Sequence, residues 1–111
     1  MASLASDVEI IERVLCDRAC FYAAPDDVRT LIAFDREHGQ FLLMDEGWSG
    51  YRRIHQIWAH VELLNDKLFI HEDGTEDGLA NLLVNAGIPP NRIVLAFHAP
   101  CLRSATDFAV A

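Results

Sequence analysis

Lysine is nearly absent. Lys67 is the only one in 111 residues, and with the arginines the basic side chains number 9 against 17 acidic ones. The net charge is −8 and the pI about 4.9. Binding to a phosphate polymer or an anionic membrane draws on Lys and Arg. Arg52 and Arg53 are the only adjacent basic pair, so neither direct nucleic-acid binding nor membrane adhesion is expected. Long apolar runs are missing too, and none approaches the ~20 residues that cross a bilayer. The opening stretch MASLASDVEI has no basic region and no unbroken apolar run. No secretory signal is read there, and the cytoplasm is the expected compartment. Cysteines are few and odd in number: Cys16, Cys20 and Cys101. Such a count reads as reduced thiols. Cys16 and Cys20 stand one helical turn apart but lack two further zinc ligands, so they read as small buried hydrophobes.

Catalytic motifs are absent as well. There is no phosphate-binding GxxxxGK[ST] loop, Gly74 and Gly78 lack the third glycine of a dinucleotide fingerprint, and no GxSxG elbow occurs. A nuclease centre using paired acids and a lysine has only Lys67 to draw on. The acidic run Glu72 to Asp77 lacks the alternating ligands and terminal Glu of a calcium loop. No catalytic residue and no cofactor are expected.

Present instead is a clear patterning of apolar residues. Half the chain, 51%, is hydrophobic, which suits a folded domain, and the length suits one domain spanning 1–111. Leu4, Val8, Ile11 and Leu15 repeat at helical spacing. Ser6 to Glu9 has the form of a capping box, which predicts a helix over 7–20. Val28 to Phe34 and Gln40 to Asp45 read as strands around a polar turn. After the turn Gly47 to Gly50, Tyr51 to Leu63 reads as a long strand. Asn65-Asp66 suits a two-residue hairpin turn, with Lys67 to His71 returning. Thr75 then predicts a helix cap over a helix at 76–86, stopped by Gly87 and Pro89-Pro90. Arg92 to Phe97 reads as a buried strand, and the tail from Thr106 as a further short one. The expected fold is α+β: an N-terminal helix, an antiparallel four-stranded meander, a second helix and one or two short strands.

The hairpin register places chemistry. With Leu64 opposite Lys67, Leu63 faces Leu68 and Val61 faces Ile70, which puts apolar residues together. The same counting sets His60 opposite His71, Glu62 opposite Phe69 and Trp58 opposite Asp73. His60, Glu62, His71 and Asp73 would then share one face, a ligand set suited to zinc or another divalent ion, and the alternative to a binding subunit is a metal-binding module or small metal-dependent enzyme using that face. The bland alternative is a polar sheet face with two unrelated histidines. For protein contact the candidates are Trp48, Tyr51, Trp58 and Phe69, since aromatics near arginines are enriched at binding hot spots. Trp58 and Phe69 are expected to form one patch on a sheet face left uncovered. That patch would serve a homodimer, or a heterodimer in its place.

Three stretches carry a family resemblance: FDREHGQFLLMDEGW (34–48), RRIHQIWAHVELLNDKLFIHEDGTEDGLANLLVNAGIPPNRIVLAFHAP (52–100) and TDFAVA (106–111). DGTEDGLANLLVNAGIP followed by IVLAFH is the most specific part. Together they resemble the XisI family, excision-controlling factors named for the fdxN element of heterocyst-forming cyanobacteria. The resemblance implies a small α+β regulatory protein acting beside a XisH-like partner in programmed DNA excision, with strand exchange left to a separate recombinase. It implies no catalytic residue. Members commonly carry His-x-Asp where this chain has His60-Val61-Glu62, and Gln where it has His71, so a metal site needing His71 would be peculiar to this chain. Acidic character suits binding to the basic face of a DNA-processing protein.

Overall fold

The computed structural model describes residues 4–21, 27–105 and 108–109. Helix α1 runs over Leu4–Phe21, followed by strands β1 (Val28–Asp35), β2 (Gln40–Ser49), β3 (Arg52–Leu64) and β4 (Lys67–Asp73). A short helix α2 (Leu79–Asn85) leads to β5 (Ile93–Leu95). The five strands form one sheet in sequence order. The first four pair antiparallel as hairpins, while β5 lies parallel to β4 because α2 carries the chain back across the sheet. The fold is α+β, as the patterning predicts. No helix among the described residues is long and apolar enough to cross a membrane.

Both helices pack on the same face of the sheet. Phe41, Leu43, Ala59, Val61, Leu68 and Ile70 point towards them, meeting Ile11 and Leu15 of α1 and Leu79 and Leu83 of α2. The alternation of each strand therefore sorts one residue set into the core and leaves the other facing away. Asn65 and Asp66 adopt φ 53° and 62°, and the register Leu64↔Lys67, Leu63↔Leu68, Val61↔Ile70 holds.

Several local expectations are corrected. Helix α1 starts at Leu4, so Ser6 does not open it, and Asp7 is buried against Arg92 instead. Helix α2 starts at Leu79, not Glu76. Gly78, at φ 84°, breaks the helical path, and Thr75 holds the preceding turn by accepting from Gly78 N at 3.1 Å. β2 runs through Gly47 and Trp48 to Ser49, which moves the turn to Gly50-Tyr51. A Cβ on Gly47 would stand 2.0 Å from the Asp27 carbonyl oxygen, so only glycine allows that continuation. β5 covers only Ile93–Leu95, since Pro90–Arg92 forms a 3-10 turn. The tail strand expected from Thr106 falls mostly on residues 106–107 and 110–111, outside the described residues; Ala109, which is described, forms a parallel bridge with Val94. Cys20 and Cys101 are exposed, and Cys16 is half-buried. Cys16 and Cys20 are thus not core residues, because α1 turns Ile11, Val14 and Leu15 inward instead.

Candidate functional site

The sheet face turned away from the helices carries a cross-strand polar network. Gln40 of β2 opposes Glu62 of β3, and its amide nitrogen donates to Glu62 Oε2 at 3.0 Å. That leaves Gln40 Oε1 as an acceptor, so His60 Nε2 carries the proton in their 2.7 Å bond. Glu62 Oε1 accepts from His71 Nε2 at 2.9 Å. The two imidazoles sit 4.7 Å apart, and Phe69 stacks against His71 at 6.4 Å. Leu42 and Met44 of β2, with Leu31 of β1, extend this face as half-buried apolar residues. Ile57 adds a 43% exposed side chain.

Two β-bulges decide what reaches this face. The β3–β4 register shifts between His60 and Val61, so His60 opposes Glu72, not His71. His71 becomes the extra residue, and its ring still lies beside His60. Ala59, not Trp58, opposes Asp73. Asp73 is drawn to the helix side, where Oδ1 accepts from Thr75 N and Oγ1, and Oδ2 from Leu79 N at 2.8 Å. So His60, Glu62 and His71 come together and Asp73 does not. Among the described residues no group of three or more His, Cys, Asp or Glu side chains is placed to hold a metal ion. Nε2 of each clustered imidazole is already committed to an acceptor, Gln40 for His60 and Glu62 for His71.

The second bulge moves Trp58. Leu43 pairs with Ala59 and Met44 with Ile57, leaving Trp58 as the extra residue. Its indole nitrogen donates to Asp45 Oδ1 at 3.1 Å, on the helix-bearing side, and its ring packs against the core. Trp58 and Phe69 thus lie on opposite faces and form no common patch. Leu42, Met44 and Ile57 take the place expected for Trp58; strict alternation in β2 carries the signal for the first two. Trp48 and Tyr51 lie elsewhere, at the far end of the β2–β3 hairpin. Trp48 is 50% exposed beneath the Arg53 guanidinium, 5.3 Å from its ring centre, and Tyr51 is fully exposed.

The network ties stability to pH. Burial, then the adjacent His71, pulls the His60 pKa below its ordinary 6.5, against smaller opposing effects of Glu62 and Glu72. The bonds from His71 and Gln40 hold Glu62 below its ordinary 4.5. For both groups the unfolded chain binds protons more readily, so acidification favours unfolding. His60 contributes this loss as pH falls below 6.5, and Glu62 below 4.5. The melting temperature of the His60→Gln variant should therefore fall less than that of the parent between pH 7 and pH 5. Parallel curves for the two proteins would refute the assignment.

Comparison with known proteins agrees with this architecture. The XisI protein family model matches residues 1–110. A XisI-like protein from Anabaena variabilis, known by crystal structure, shares 29% identity at a TM-score of 0.92, covering 98% of this chain and all of that one. The crystal structure of the fdxN element excision controlling factor XisI from the same organism shares 31% identity at a TM-score of 0.83, covering 97% of this chain and 98% of that one. No curated protein matches the chain. The helix, the meander and the returning short strand are thus the framework of a known group, and the chain belongs to the XisI family.

Proposed function

We propose that this protein is a non-enzymatic accessory factor controlling excision of a DNA element, and that it acts by binding a XisH-like protein through the open sheet face. The single observation carrying the reading is that face. Leu42, Met44, Ile57 and Phe69 stand on it around a polar network, and neither helix covers it. Apolar surface rimmed by polar groups fits a protein partner. The family supports the process, since a relative of 31% identity is an fdxN element excision controlling factor. The net charge of −8 supports the mode of action, because it favours a basic protein surface over a phosphate backbone.

Co-expression with a XisH-like protein should yield a complex that survives size-exclusion chromatography. Combining Leu42→Ser with Phe69→Ser should weaken it about tenfold or more, as expected for hot-spot apolar contacts, while leaving the fold intact by circular dichroism. Tight DNA binding by the isolated chain at physiological salt, or a complex indifferent to the double substitution, would overturn the reading.

A further inference from the structure

Strand β3 is longer than the strand beside it. β4 pairs only with Ala59–Leu64, and Gly74 N closes the ladder on the Trp58 carbonyl at 2.6 Å. From Arg52 to Ile57, β3 pairs with β2 on one side and with no strand among the described residues on the other. Five of those six residues are exposed, and Ile54 is half-buried. The segment has no proline and no bulge of its own. An edge of this length presents unmet N–H and C=O groups, and proteins normally blunt such edges or pair them.

The charges beside this edge are arranged in opposition. Arg52 and Arg53 stand at its outer end. At its inner end, where β4 departs, lie Glu72 and Glu76, both exposed. The Arg52 side chain makes no hydrogen bond or ion pair among the described residues. Arg53 shares Glu46 with Arg29 at 3.6 Å and 3.4 Å respectively. Antiparallel pairing of this edge with itself brings the outer end of one copy to the inner end of the other, so arginines meet glutamates twice. β1 also borders the sheet, but no acidic run adjoins an arginine pair on it.

We propose that the unpaired half of β3, Arg52–Ile57, is a self-association edge, joining two copies antiparallel about a two-fold axis near Ile54. Pairing centred there sets Arg52 opposite Gln56 and leaves the Trp58 carbonyl to Gly74. The Arg52–Arg53 pair of each copy lies against the Glu72–Glu76 segment of the other, and the exposed Tyr51 gains a neighbour. A two-fold axis normal to the sheet keeps the open faces of both copies on one side. The dimer is therefore compatible with a partner on that face, and goes beyond the partner reading above.

Sedimentation equilibrium of the full chain should give twice the 12.5 kDa chain mass. Arg52→Glu with Arg53→Glu should weaken the dimer about tenfold or more, and adding Glu72→Arg with Glu76→Arg to that variant should restore it. Phe69→Ser should leave it unchanged. Hydrogen exchange on the unmodified protein provides a check that needs no variant: the alternate amides of residues 52–57 that face away from β2 should lose protection on dilution. A monomeric parent, a dimer lost with Phe69→Ser, a failed charge-swap rescue, or amides indifferent to dilution would each overturn the proposal.

Discussion

Replacing Arg92 by alanine should destabilise the protein by about 3–5 kcal/mol, the range for stripping one partner from a buried ion pair. Asp7 is 1% exposed, and the Arg92 guanidinium meets its two carboxylate oxygens at 3.2 Å and 2.5 Å. The same guanidinium donates through Nε to the Asp66 carbonyl at 2.8 Å. One side chain thus ties α1 to the β3–β4 turn and to the start of β5, and the Asp7 carboxylate holds the Arg92 pKa above its ordinary value. Removing the guanidinium leaves a carboxylate with neither water nor cation. In differential scanning calorimetry the melting temperature should fall by about 12–20 °C, at roughly 4 °C per kcal/mol. Arg92→Lys should recover only part of this, because an ammonium cannot make the forked contact. A loss under about 1 kcal/mol would mean that water reaches Asp7 on removal of the arginine, and would refute the buried pair as a structural tie.

Phe41→Ala should cost a comparable amount, about 3–5 kcal/mol, from lost transfer energy and the cavity left behind. Phe41 is fully buried and belongs to the core that α1 packs on, with the Phe34 ring 5.7 Å away in a tilted contact. Urea unfolding should show the midpoint falling with little change in slope. Phe69→Ser is the informative companion: Phe69 has the same ring but faces away from the helices, so it should cost far less. Equal losses at the two positions would mean that the open face is packed as tightly as the core, which would contradict its availability to a partner.

Much of the fold is legible in the sequence because it rests on short-range patterning. Asn65-Asp66 tolerates positive φ, and that turn sets the pairs from Leu64↔Lys67 to Val61↔Ile70. Alternation over β2 and β4 separates Phe41 and Ile70 from Leu42 and Phe69. Gly87 and Pro89-Pro90 mark the end of α2. Counting fails where alternation itself breaks. A bulge inserts one residue and turns the next stretch of strand to the other face, and no residue type marks it reliably. For that reason counting puts Trp58 and Asp73 on the open face, whereas both are turned towards the helix side.

From its order of residues alone, this protein is an acidic α+β domain with a four-strand meander and with His60 and Glu62 on one strand face. Those properties stem from composition, from the period of two, and from turn residues whose preferences act within a few positions. The tertiary structure alone decided the rest. Asp7 and Arg92 lie 85 residues apart and become a pair only when α1 packs onto the sheet. β5 lies parallel to β4 because α2 carries the chain back across the helix-covered face. The outer half of β3 is an open edge because Gly74 closes the β4 ladder on Trp58. Each depends on where one finished element stops against another, and a linear pattern holds no measure of that distance.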